Sequence, residues 1–283
     1  MILSFHPCIT ADRQVILGSR SPGLHEAKLA ARADAVLLPQ TCRESLYRLC
    51  RDGGAKIFPS YDLRFAYPGK SGQAQLFSER GLPHPDTRIW SSVAVLRDAV
   101  RVSEDLPLKP PFLVKTDTDH EGLGIYVIRS LHDLESALAD LGRRRGEYGE
   151  KILTQELVPV EGNVLRAVIL ARRVLTYWKR SRGAFITTIG KGAMVDISWR
   201  KDLQEKGRRL AGEICKALGI NLAAVDMVFN MQEPEPEPLV LEINYMFGRR
   251  GLGGSEVYYR LLFEAVKEWL EENGLDSKGI GLV

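Results

Sequence analysis

The sequence predicts an α+β fold of strand-rich lobes preceded by a short α/β segment, and three observations carry that prediction. Short apolar runs alternate with helix-like stretches over the first sixty residues. Strands dominate from Pro111 onward, and near the C-terminus two apolar strands flank a loop of proline and glutamate.

The elements follow in order. Apolar runs at residues 2–5, 15–17, 35–38 and 56–58 read as short strands, and residues 44–51 read as a helix closed by Gly53 and Gly54. Together they make a small lobe over residues 1–62. Ser71 is placed to cap a helix over 73–80 that Gly81 ends, and Pro83 and Pro85 force an extended exit. Strands are expected at 112–115, 125–128, 152–156, 165–170, 174–179 and 185–188. A helix over 131–141 interrupts them, opened by Ser130 and Asp133 and closed by Gly142. A long helix over 202–218, strands at 222–230 and 239–244 and an amphipathic helix over 255–273 complete the chain.

The chain has 283 residues, of which 45% are hydrophobic, enough to bury a substantial core. Cys8, Cys42, Cys50 and Cys215 are scattered, with no paired spacing, so neither a disulfide framework nor a structural zinc site is indicated. A cytoplasmic setting is expected. No apolar run approaches a membrane span or a signal peptide. The net charge of +3 is mild, and Arg143, Arg144 and Arg145 stand at a helix end, where cations complement the macrodipole. Nucleic-acid binding is therefore not expected.

The strongest chemical signal lies in the C-terminal strand pair. With the turn near Pro234 and Glu235, residues whose numbers sum to about 468–470 face each other, which sets Asp226 opposite Glu242 and Asn244. Glu242 and Asn244 share one strand face while Leu241 and Ile243 point into the core. Carboxylates inside apolar strands need a compensating charge. Two carboxylates and an amide oxygen suit a magnesium ion that keeps positions open for water and phosphate. By alternation alone, a half-exposed sheet with acids on its solvent face fits equally well.

A second signal is strand, glycine loop, strand: Phe112-Leu113-Val114-Lys115, then Gly122-Leu123-Gly124, then residues 125–128. Such a loop can cover a phosphate that the preceding lysine also reaches, although an isolated Gly-x-Gly is more often a plain hairpin loop. Gly69-Lys70-Ser71 is a decoy. A Walker loop needs glycine at position 64, which is Arg64, and Gly122-Leu123-Gly124 lacks the third glycine of a dinucleotide fold.

In chain order, Lys70, residues 82–87 (Leu-Pro-His-Pro-Asp-Thr), residues 112–115, Gly122-Leu123-Gly124, residues 154–158 (Thr-Gln-Glu-Leu-Val), Arg166, Asp226 and Leu241-Glu242-Ile243-Asn244 resemble the ATP-grasp superfamily. Within it the chain is most similar to the branch of the ribosomal-protein glutamate ligase (RimK-like), and more distantly to D-alanine:D-alanine ligase, over residues 61–254. That resemblance implies an ATP-grasp fold over residues 63–283, with lobes 63–155 and 156–283 enclosing the nucleotide. It also implies site roles. Lys70 and Lys115, with Gly122 and Gly124, would contact the ATP phosphates; Glu156, Leu157 and Val158 would read adenine; Glu161 or Asn163 would hold the ribose. Arg166, Lys179 and Arg180 would face the phosphate and acyl group, and Asp226, Glu242 and Asn244 would hold Mg2+ or Mn2+.

The activity implied is an ATP-dependent ligase that activates a carboxylate as an acyl phosphate and joins it to an amine. The rivals are a kinase-type phosphotransferase and an ATP-binding sensor or scaffold without turnover. Partners would be ATP and carboxylate and amine substrates, the latter small molecules, peptides or protein termini; a homo-oligomer is left open. Of the histidines, only His120 beside the glycine loop is singled out. Two departures bear on substrate handling: Thr188 stands where the family usually has asparagine, and Phe247-Gly248 where it has Pro-Gly.

Overall fold

The computed structural model describes residues 1–119, 124–181 and 192–283. Gly122, His120, Thr188 and the strand expected at 185–188 lie outside the described residues.

The first lobe is a parallel sheet in the order Arg13–Gln14, Ile2–Ser4, Ala35–Leu37, Lys56–Phe58. Alternation divides its side chains. Leu3, Val36 and Leu38 face the helices Leu24–Ala30 and Glu44–Asp52, whereas Ile2, Ala35, Leu37 and Phe58 face the C-terminal helix Ser255–Glu272. The run expected at 15–17 is not a strand of its own. The strand ends at Gln14; Val15 still gives its N–H to the Ser4 carbonyl at 2.8 Å, and Val15 and Leu17 pack on the first of these clusters.

The second sheet is antiparallel, in the order Thr87–Trp90, Ile152–Glu156, Phe112–Thr116, Ile125–Ile128. Phe112, Val114, Ile128 and Ile152 point to one face, under the helices Val93–Ser103 and Leu131–Arg145. Leu113, Lys115, Ile125 and Gln155 point to the other. The helix opened by Ser130 and Asp133 runs past Gly142 to Arg145. Glu147, paired with Arg97, lies over the bare face of Gly142, and the helix ends where Gly146 takes φ +82°.

The third sheet is antiparallel, in the order Met194–Asp196, Arg173–Arg180, Asn163–Leu170, Leu222–Val228, Leu239–Asn244. One face, with Leu165, Ala167, Ile169, Trp178, Val225 and Met227, packs on helix Lys201–Leu218. The opposite face changes character along the strands. Val168, Leu170, Leu222 and Ala224 are sealed beneath helix Ser255–Glu272, while Val164, Arg166, Lys179 and Asp226 open into a cavity.

Ser71 does not cap the helix that follows it. The helix spans Gly69–Glu79, and its start is held from a distant segment: Asp117 accepts hydrogen bonds from the Ser71 N–H at 2.7 Å and the Ser71 hydroxyl at 3.0 Å. Only glycine fits at position 69, where φ is +72° and a Cβ would stand 2.7 Å from the Asp117 carboxylate. The Gly-Lys-Ser decoy is no phosphate cradle, because Asp117 already occupies the anion position at that helix end. Among the described residues no helix is long and apolar enough to cross a membrane.

Helix Lys201–Leu218 gives a test of packing with two opposite signs. At Gly207 a Cβ would collide with Leu165 and lie 3.3 Å from Met227 Sδ, whereas at Gly212 it would meet nothing within 4 Å. Gly207→Ala should destabilise by about 1–3 kcal/mol, as overpacking does. Gly212→Ala should stabilise by roughly 0.5–1 kcal/mol through helix propensity. Urea unfolding of both variants reads the two signs, and a stabilised Gly207→Ala would refute the packing described here.

Candidate functional site

A cavity of about 1270 Å3 lies between the second and third sheets. Its charged floor follows from strand alternation. The register pairs Arg166 with Asp226, Lys179 with Val164, and Asp226 with Glu242, so Arg166, Lys179, Asp226, Glu242 and Asn244 all project from one face.

Asp226 is the centre of this floor. It is 4% exposed, and Arg166 grips it bidentately, Nε on Oδ1 and Nη2 on Oδ2, both at 2.7 Å. Lys179 Nζ donates to Oδ2 at 2.9 Å and Asn244 Nδ2 at 3.3 Å. Burial alone would raise its carboxyl pKa, but Lys179 and Arg166 outweigh burial and bring it down to about 2. The cations respond in opposite directions. Burial would lower the Arg166 pKa, but Asp226 more than offsets it and the pKa is raised; burial lowers that of Lys179 despite the same carboxylate.

Lys115 rises from the facing sheet. Lys115 is 8% exposed and its ammonium donates to Gln155 Oε1, while Gln155 Nε2 donates to Thr87 Oγ1 at 2.8 Å and the Thr87 hydroxyl to the Pro85 carbonyl at 2.7 Å. Burial brings its pKa down to about 8, with Glu242 opposing that fall and Lys70 adding to it. Lys70, on helix Gly69–Glu79, donates to the carbonyls of Asp117 and Asp119, and it borders a smaller recess with Lys115 and Glu242. Gly124 sits where Lys115's strand ends, its carbonyl accepting from the Thr116 N–H at 3.0 Å.

An apolar slot adjoins these charges. Leu113 and Ile125 form one wall, and Val158, Val160, Val164, Val228 and Leu241 the other. Leu241 was expected in the core. A bulge shifts the register between Asp226 and Met227, so Val240 pairs with Met227 while Glu242 pairs with Asp226, and the extra residue, Leu241, joins the slot; Ile243 does enter the core. Glu156, Leu157 and Val158 line the slot's edge, and the Leu157 and Val158 N–H groups have no backbone partner among the described residues.

Four expected site residues do not line the cavity among the described residues: Gly124, at the strand end already noted, and Arg180, Asn163 and Glu161. Arg180 follows Lys179 on a strand and so points to the opposite face. There it stacks 4.1 Å over Trp199 and pairs with Asp196 at 2.9 Å. Asn163 accepts from Arg180 at 3.2 Å and donates to the carbonyls of Val160 and Glu161, so its amide locks the turn. Glu161 occupies that turn with φ +50° and is exposed. Other residues enter: Gln155 and Thr87, which stand in the quoted motifs without an assigned role, and Gln73 and Arg64, which no motif includes. Gln155 had a visible signal, a polar residue inside a buried strand.

The donor set can be tested against a divalent cation. Glu242 is half-buried and forms no hydrogen bond or ion pair among the described residues, although its charge acts on Lys70, Lys115 and Lys179. Asp226 Oδ2 is saturated by three donors and only Oδ1 keeps capacity. Glu242 and the Asn244 amide oxygen, with one Asp226 oxygen on the neighbouring strand, are hard-oxygen donors of the chemical kind Mg2+ or Mn2+ takes.

Another part of the cavity lining is cationic. Arg249 lies 4.4 Å from the Tyr259 ring centre and donates to Ser255 Oγ at 3.4 Å; Arg64 and exposed Arg250 stand beside it.

The family model of the RimK-like ATP-grasp domain matches residues 69–258, from the capped helix through both sheets of the cavity. The chain belongs to the RimK-like ATP-grasp family. Among its relatives is a probable alpha-L-glutamate ligase of Xanthomonas oryzae, 28% identical over 147 residues; the match spans 51% of this chain and 46% of that ligase, under half of the relative's length. The fold is shared with solved ATP-grasp structures. A RimK domain protein from Sphaerobacter thermophilus aligns over 85% of this chain and 83% of its own, with a TM-score of 0.56 at 18% identity. The D-alanine–D-alanine ligase of Bacillus anthracis aligns over 93% and 88%, with a TM-score of 0.57 at 14% identity.

The Lys115 environment of this RimK-like chain has a measurable signature. Its folded pKa lies below that of the unfolded chain, so between about pH 8 and 10 the unfolded state binds more protons and folding gains stability as the pH rises. Relative to Lys115→Met, the wild type should therefore become more stable across that window. Parallel denaturation curves at fixed pH measure the difference, and a flat or falling difference would contradict the burial of a charged Lys115.

Proposed function

We propose that this chain is an ATP-dependent carboxylate–amine ligase that uses a divalent metal ion. The observation that carries this reading is the convergence, on one sheet face, of Arg166, Lys179, Asp226, Glu242 and Asn244 opposite Lys115, beside an apolar slot. The family match and the ligase named among the relatives support it.

In this reading adenine enters the slot between Leu113, Ile125 and Leu241, and the unpaired N–H groups at Leu157 and Val158 read its edge. The triphosphate runs over the floor, where Lys115 and Lys70 take the outer phosphate oxygens. Glu242, Asn244 and the less crowded Asp226 oxygen would hold Mg2+ or Mn2+, which when bound would neutralise charge on phosphate oxygens. Arg166 and Lys179 face the γ-phosphate and the substrate carboxylate.

A carboxylate is a poor electrophile, so its oxygen attacks the γ-phosphorus, giving an acyl phosphate and ADP. The amine then attacks the acyl carbon, loses its proton and expels phosphate. Each step redistributes charge among oxygens that fixed cations already face, and no protein nucleophile is needed. The cavity exceeds what one drug-sized ligand requires. Its cationic part, with Arg64, Arg249, Arg250 and Ser255, receives the second substrate, and the cations there suit a carboxylate-bearing molecule.

Incubation with MgATP and pools of carboxylates and amines, followed by mass spectrometry, tests the reading. A joined product with ADP is expected. A phosphorylated product alone would make the chain a phosphotransferase, and binding without turnover would make it a sensor. Glu242→Gln keeps shape but removes an anionic ligand, so ADP formation should fall by about 10²–10³-fold while stability changes by no more than about half a kcal/mol. Turnover near that of the wild type at every magnesium concentration would remove Glu242 from the site.

A further inference from the structure

Strand Leu239–Asn244 is the outer strand of the five-stranded sheet, paired on one side only by Leu222–Val228. The outward backbone groups of such a strand need partners. Val240 gives its N–H to the Pro83 carbonyl at 2.7 Å. At Ile243 the partner is a single side chain: Gln73 Oε1 accepts from the Ile243 N–H at 2.7 Å, and Gln73 Nε2 donates to the Ile243 carbonyl at 3.1 Å. The amide thus stands in for a residue of a neighbouring strand, satisfying donor and acceptor together.

The location of this bridge matters more than the bonds themselves. Ile243 lies between Glu242 and Asn244, and its own side chain is locked in the core at 1% exposure. Fixing its peptide groups fixes the direction in which both flanking side chains leave the strand. The bulge just before Glu242 removes one regular ladder contact there, so the strand depends more on its outer side for position. Gln73 also follows Lys70 by three residues and so shares its helix face, and the start of that helix is clamped by Asp117 beyond Lys115's strand. Through Gln73, the helix bearing Lys70 is tied to the strand bearing Glu242, a carboxylate with no hydrogen bond or ion pair among the described residues.

We infer that Gln73 is a positioning residue of the metal–phosphate site, setting Glu242 and Asn244 at the separation from Lys70 and Lys115 that a metal–nucleotide complex requires. The inference rests on the reading that Glu242 and Asn244 hold the divalent ion. Both ends of the Gln73 amide are engaged by the Ile243 peptide groups, so Gln73 acts through that backbone.

The test uses ADP and Mn2+ with the full chain, by calorimetry of ADP binding in EDTA and in Mn2+, and by electron paramagnetic resonance of Mn2+ bound to the protein–ADP complex. Gln73→Met keeps the side-chain length and removes both bonds. It should raise the Mn2+ concentration for half-saturation by about tenfold, as loss of a supporting hydrogen bond around a metal does, with ADP affinity in EDTA changed less than twofold. Gln73→Glu keeps the acceptor for the Ile243 N–H and loses the donor, and should fall between. Gln75→Met, on the exposed face of the same helix, should match the wild type and controls for helix propensity.

If Gln73→Met fails to fold, Gln73→Glu carries the same comparison. A metal-dependent wild type with an unchanged Gln73→Met would overturn the inference, as would equal losses of ADP binding with and without metal. A wild type whose ADP binding ignores Mn2+ would overturn the metal reading beneath it.

Discussion

The site depends on keeping Asp226 ionised at 4% exposure. An unpaired buried carboxylate would protonate or unfold its surroundings, and removing a partner from a buried pair costs about 3–5 kcal/mol. The sheet solves this by strand order. Arg166 stands on the strand beside Asp226, and Lys179 reaches it from the strand beyond. The same arrangement preorganises two cations that would otherwise be mobile long side chains, so what stabilises the carboxylate also aims the guanidinium and ammonium into the cavity.

One face of one sheet therefore serves two purposes. Toward the Leu170 end it carries Val168, Leu222 and Ala224, covered by the C-terminal helix; two residues along, at Arg166, the cover ends and the cavity begins. The first lobe contributes by packing on the same helix, which closes the apolar half and leaves the polar half open. On the facing sheet the division is by alternation instead, since Leu113, Lys115 and Gln155 look into the cavity and Phe112 and Val114 look away from it.

Much of this was legible from residue order. The pairing of Asp226 with Glu242 follows from the turn position, and most strands from Phe112 onward follow from apolar runs bounded by glycine and proline. What was not legible has physical causes. Arg180 adjoins Lys179 in sequence, yet a strand sends neighbours to opposite faces, and resemblance alone did not apply that parity. Leu241 was misplaced because a bulge breaks the alternation that placed it. The start of helix Gly69–Glu79 was misread because its cap, Asp117, comes from 46 residues away, and no local pattern encodes a partner at that distance. Helix Val93–Ser103 and the edge strand Thr87–Trp90 were passed over, the latter short with two exposed residues.

Charge balance also limits what can occupy the floor. Lys70, Lys115, Arg166 and Lys179 face Asp226 and Glu242, and Asp226 is already bound by two of those cations. The surplus is positive, which favours an anionic ligand, but Glu242 remains without a direct partner within that surplus. A polyphosphate arriving alone would gain from the lysines and be repelled by Glu242. In the proposed reading, a polyphosphate arriving with a divalent cation would meet attraction from both, the cation taking Glu242 and the Asn244 oxygen and the lysines the remaining phosphate oxygens. On that reading the floor would suit a metal–nucleotide pair better than either component alone, because Glu242, which has no hydrogen bond or ion pair among the described residues, stands among cations of which two are held in place by Asp226.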